Sequence, residues 1–106
     1  MEIRLDITGG MGIRLSGTLP QEAISESLSR AVEQAVDDGS LARCESAPAN
    51  PQMADAQHYE ISVRLDRPGA RAETFSFDDS QAPSPVLDLV DQLTAALRAW
   101  LLKSRS

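Results

Sequence analysis

A chain of 106 residues with 42% hydrophobic and 25% charged side chains has the content of one soluble folded domain, too short for two and too apolar to stay disordered. Ten Lys and Arg against sixteen Asp and Glu leave a net charge of -6, and neither half is basic: residues 1–53 carry four basic against eight acidic side chains, residues 54–106 six against eight. Nucleic acid and anionic membranes require clustered positive charge, so neither is an expected partner. Cys44 is the only cysteine and His58 the only histidine, which leaves no intrachain disulfide and no nitrogen–sulfur cage for a metal. The opening Met-Glu-Ile-Arg-Leu-Asp places charges where a signal peptide needs an apolar run, and the expected location is the cytoplasm.

Ile3, Leu5 and Ile7 alternate with Glu2, Arg4 and Asp6, the period-two pattern of a half-buried strand over residues 2–8. Thr8-Gly9-Gly10-Met11-Gly12 follows, and three glycines in four positions relax the bar on positive φ, which predicts a hairpin turn. Ile13 and Leu15 then alternate with Arg14 and Ser16, carrying the returning strand to about Gly17. Thr18-Leu19-Pro20-Gln21 reads as a capping box that opens a helix. Ile24, Leu28, Ala31, Val32, Ala35 and Val36 form its apolar stripe, and Gly39 stops it after Asp38.

Residues 42–57 show no period, and Pro48, Asn50 and Pro51 mark an irregular connection, either a mobile loop or an interaction surface. Tyr59, Ile61, Val63 and Leu65 alternate with Glu60, Ser62, Arg64 and Asp66, the most regular strand signal in the chain. Arg67-Pro68-Gly69-Ala70 has the order of a type II turn, after which Phe75 and Phe77 share one side of a fourth strand. Ser84-Pro85 starts a second helix, with Val86, Leu89, Val90, Leu93, Leu97, Trp100 and Leu101 as its stripe, and its last few residues are expected to fray. Asp88 and Asp91 near its start and Arg98, Lys103 and Arg105 near its end agree with the helix dipole. The order ββαββα predicts an α+β fold: one domain over residues 1–106, a four-stranded antiparallel sheet with two helices packed on one face. Arg4, Asp6, Arg14, Glu60, Arg64, Asp66, Thr74 and Ser76 would lie on the other face, a solvated surface or, as the alternative, a partner surface.

No catalytic set emerges. A Cys–His nucleophile would require Cys44 and His58, which nothing in the pattern brings together. Asp78 and Asp79 are adjacent, so on a strand they point apart, and they read as the end of the fourth strand rather than an acid/base pair. The glycine loop lacks Gly-Lys-Ser/Thr, its G-x-G-x-x-G spacing breaks at Leu15, and a strand follows it instead of the helix that would bind an anion. Two readings of the loop remain, a plain turn or a loop presented to another protein.

The order and punctuation of these elements resemble the emfourin family, small bacterial inhibitors of protealysin-like, thermolysin-type zinc metalloproteases. Thr8-Gly9-Gly10-Met11-Gly12-Ile13-Arg14 is similar to the family's Ser/Thr-Gly-Gly-Phe-Ala-Gly-Ile-x-Arg pattern, with Met11 where the family has Phe-Ala, so this loop is one residue shorter. Thr18-Leu19-Pro20, Tyr59 to Val63, Phe75 to Asp79 and Pro85 to Leu93 extend the likeness along nearly the whole chain. The resemblance implies a non-enzymatic, cofactor-free inhibitor that covers the active-site cleft of a protealysin-like metalloprotease and is a monomer when free. It places the partner-binding residues at Thr8, Gly9, Gly10, Met11, Gly12, Ile13 and Arg14. Thermolysin-like clefts favour a bulky apolar side chain beside the zinc, which makes Met11 or Ile13 the candidate to fill that pocket. The alternative class is a non-inhibitory interaction module, an adaptor or an antitoxin-like partner.

Overall fold

The alternation that opens the chain becomes strand β1 (Glu2–Thr8), with Ile3, Leu5 and Ile7 buried and their neighbours turned outward. The computed structural model describes residues 1–9, 14–48 and 57–104. β1 pairs antiparallel with β2 (Arg14–Leu19) on one side and β3 (His58–Arg64) on the other, and β4 (Glu73–Asp78) completes the sheet in the order β2-β1-β3-β4. A strand exposes alternate side chains to opposite faces, so this register collects Ile3, Leu5, Leu19, Ile61, Val63 and Phe77 on one face, all essentially inaccessible to solvent.

Helix α1 (Glu26–Asp37) buries Leu28, Val32 and Ala35, and helix α3 (Ser84–Ser104) buries Val86, Leu89, Val90, Leu93 and Leu97 in the same cluster as the sheet. Trp100 is partly buried against that core, as its place on the stripe predicts. The sheet's other face is polar and bonded across strands: His58 Nε2 lies 2.8 Å from Ser76 Oγ, and the Ser62 and Thr74 hydroxyls are 2.8 Å apart. The expected α+β architecture, helices over one face of a four-stranded antiparallel sheet, is thus the observed one.

Four details differ from the sequence expectation. β2 continues past Gly17 to Leu19, because Thr18 pairs with Arg4 and Leu19, fully buried, pairs with Ile3. Leu19 therefore stays extended with its backbone bonded to β1, so no helical turn follows Thr18 and the capping box does not form. Instead Pro20 leads into one 3₁₀ turn over Gln21–Ala23, and Ser25 caps α1, its Oγ accepting from the Leu28 amide at 3.2 Å. Second, β3 ends at Arg64 rather than Asp66. Third, the segment expected to be irregular from residue 42 begins as a helix, α2 (Ser40–Ser46), whose Leu41 and Cys44 are buried, so there are three α-helices and not two. Gly39, at φ 79°, both ends α1 and starts α2. Residues 49–56 of that segment and the fraying expected at residues 105–106 lie outside the described residues. Finally, among the described glycines positive φ occurs at Gly39 and Gly69, not at Gly9. At Gly69 it serves the expected turn, which the Ala70 amide closes on the Arg67 carbonyl at 3.0 Å.

Candidate functional site

Thr8 and Arg14 face each other as the last register pair of β1 and β2. Gly10, Met11, Gly12 and Ile13, which complete the expected contact loop, lie outside the described residues. Both described ends of the loop are exposed on the polar face, and Arg14 is clamped there by a fork of two hydrogen bonds to Asp6, Nη2 to Oδ2 at 2.8 Å and Nε to Oδ1 at 3.3 Å. The Arg14 guanidinium holds the Asp6 carboxyl below its ordinary value, chiefly through these bonds. The clamp joins the strands on either side of the loop.

Gly9 borders a cavity of about 570 Å³. Its apolar floor is Ile7, Leu15 and Tyr59, from the buried side of the sheet. One wall comes from α3, where Asp91, Thr94 and Arg98 stand at three-, four- and seven-residue spacing and therefore share a face. Gln57, next to the start of β3, completes the lining with Ala95.

The floor is held by a polar clasp. The Tyr59 hydroxyl donates to Asp79 Oδ1, while Asp79 Oδ2 accepts from the Gln57 amide at 3.0 Å and the Asp79 amide donates to the Gln57 carbonyl at 3.1 Å. Burial, reinforced by the hydrogen bond to Asp79, pushes the phenol far above its ordinary value, so Tyr59 stays neutral and donating across the physiological range. Asp78 and Asp79 do end β4, as expected, and they divide the work. Asp78 caps the following 3₁₀ turn, accepting from the Ser80 amide at 2.9 Å, whereas Asp79 reaches back to β3.

The geometry gives Cys44 and His58 separate surroundings. Cys44 is buried in α2 and its thiol points to the Ser40 carbonyl at 3.3 Å, while His58 is exposed on the outer face of the sheet. Among the described residues no group of three or more His, Cys, Asp or Glu side chains is placed to hold a metal ion. Asp91 and Arg98 were expected only to serve the dipole of α3. That they line a cavity depends on α3 crossing β2 beside Gly17, which their spacing does not reveal, although a polar triad at shared-face spacing is the signal that could have found them.

Three helices over one face of a four-stranded antiparallel sheet, with a recess of mixed polarity at the root of the β1–β2 connection, define the class as a small α+β domain. The Emfourin family model matches residues 5–94, most of the chain, and the chain belongs to that family. Comparison with curated proteins gives no match, and comparison with solved structures gives none either. Membership points to a metalloprotease-inhibitor role and to a metalloprotease as the partner. Among the described residues no helix is long and apolar enough to cross a membrane.

Proposed function

We propose that the chain is a reversible inhibitor of a protealysin-like, thermolysin-family zinc metalloprotease, and that it covers the active-site cleft of that enzyme through Thr8, Gly9, Gly10, Met11, Gly12, Ile13 and Arg14. The observation that carries the reading is the family match from residue 5 to residue 94, which includes the whole loop. The rest of the mechanism is steric and electrostatic. An apolar side chain from the loop, Met11 or Ile13, enters the pocket beside the zinc, and the flanking glycines let the backbone approach closely. The Arg14–Asp6 fork, 2.8 Å at its shorter arm, fixes one root of the loop before binding and so reduces the ordering cost of association. The chain supplies no reacting group of its own and needs no cofactor.

Titration of the purified protein into a thermolysin-family protease assay, beside serine- and cysteine-protease controls, tests this reading. Loss of metalloprotease activity alone is expected. Met11→Asp should weaken inhibition by roughly 2 kcal/mol or more, because a carboxylate would be desolvated on binding. A change confined to a solvated turn shifts folding stability by only about 0.5 kcal/mol, so affinity and thermal midpoint should separate. Unchanged inhibition by folded Met11→Asp would remove the contact from the loop.

A further inference from the structure

The two edges of the sheet are treated differently. One register step beyond His58↔Asp78, the Asp79 amide donates to the Gln57 carbonyl at 3.1 Å, and this sets the phase of the whole ladder. Facing residues of an antiparallel pair alternate between hydrogen-bonded and non-bonded. Tyr59, Ile61 and Val63 therefore bond toward β4, and His58, Glu60, Ser62 and Arg64 toward β1. By the same alternation Leu15, Gly17 and Leu19 bond to Ile7, Leu5 and Ile3, and the amides and carbonyls of Arg14, Ser16 and Thr18 point away from the sheet.

On β4 the outward residues are Thr74, Ser76 and Asp78, and two of their three amides are bonded by side chains of the fold. Glu45 of α2 accepts from the Ser76 amide at 2.6 Å, and Gln81 accepts from the Asp78 amide at 2.9 Å. On β2, among the described residues, no protein group bonds the outward amides or carbonyls of Arg14, Ser16 and Thr18. Arg14 is the one charged side chain on β2, and the other edge defences are missing. Arg14–Leu19 contains no Lys and no Pro, and its register runs without a bulge from Ile3↔Leu19 to Thr8↔Arg14.

We infer that β2 is where the bound protease adds an extended segment to the sheet as a fifth strand. This rests on the inhibitor reading. Arg14 is both the end of the proposed contact loop and the first residue of the open edge, so a partner seated on the loop has that edge beside it. Main-chain bonds to Ser16 and Thr18 would supply affinity with little demand on the partner's sequence. A second copy of the chain is the weaker occupant, because each copy brings a net charge of -6 to the contact.

Two measurements test the inference together. In residue-resolved amide exchange the Ser16 and Thr18 amides should exchange fast in the free protein and slow by about tenfold or more in the complex with a thermolysin-family protease, while Leu15 and Gly17 are protected in both. Ser16→Pro removes one outward donor and no β1–β2 bond, so it should fold and weaken inhibition by about tenfold relative to Ser16→Ala, which keeps the amide. Should Ser16→Pro not fold, exchange in the wild-type complex decides alone. Inhibition with Ser16 and Thr18 still exchanging freely, or Ser16→Pro inhibiting like Ser16→Ala, would overturn strand addition and leave the inhibitor reading standing. A wild-type dimer in sedimentation that Ser16→Pro dissociates would give the edge to a second copy and also overturn it. Absence of inhibition by the wild type would overturn both readings.

Discussion

Gly17 has no side chain because α3 leaves no room for one: a Cβ there would lie 2.8 Å from Leu97 Cδ1, and Leu97 is fully buried. Gly17→Val should therefore destabilise the fold by about 1–3 kcal/mol through overpacking, read from chemical denaturation. Tyr59 is the polar counterpart. Its hydroxyl bonds the Asp79 carboxylate, so Tyr59→Phe should cost about 1–2 kcal/mol with the ring still packed 5.6 Å from Phe77. A cost near zero would show that the clasp is not holding the cavity floor. Cys44 is buried and burial pushes its thiol up, so a disulfide-exchange reagent at mildly alkaline pH should leave the native protein unmodified and react on unfolding. Neither the Gly17 contact nor the clasp is legible in sequence. Each joins residues that are neighbours only once the chain has folded.

The β3–β4 turn is tied to α1 by Arg67, whose Nη2 meets Asp37 Oδ2 at 2.7 Å and Glu33 Oε1 at 2.8 Å. Asp37 lies at the negative end of the α1 dipole, and the Arg67 guanidinium offsets that conflict, holding its carboxyl below the ordinary value chiefly by hydrogen bonding. A carboxyl whose folded pKa is depressed stabilises the fold above its unfolded pKa, about 4, and loses that contribution as pH falls through the folded value. Arg67→Ala should thus lower the thermal midpoint at pH 7, and the gap from wild type should close on acidification below about pH 4. A gap independent of pH would mean that Arg67 acts through packing alone. Elements with many repeats of their period were readable in advance: Tyr59 to Leu65 alternates through three full periods, and α3 runs 21 residues with a continuous stripe. Helix α2 was not, because seven residues with Leu41 and Cys44 as their buried pair cannot establish a period. The Thr18 capping box misleads because a local signal says nothing of the cross-strand partner Ile3, which keeps Leu19 extended in the sheet.

Taken whole, the domain assigns its two sheet faces and two sheet edges to different tasks. One face carries the helices and the core, and the other stays polar. Glu45 and Gln81 bond two outward amides of the β4 edge, while the β2 edge is open beside the glycine loop. The class of fold follows from periodicity, but the strand order β2-β1-β3-β4, and with it the open edge, does not, since alternation names strands without ordering them. A chelator should leave the thermal midpoint of the free protein unchanged while abolishing the activity of a zinc protease, so the inhibitor and its target are separable by EDTA; a fall of several degrees would reveal a metal site in the chain. The most direct test of cleft blocking is the inhibition of a thermolysin-family protease titrated at several concentrations of a peptide substrate. Activity should fall with added protein, and the amount needed for half-inhibition should rise linearly with substrate concentration, as for two ligands competing for one cleft. Full activity at saturating protein, or half-inhibition that ignores substrate concentration, would contradict it.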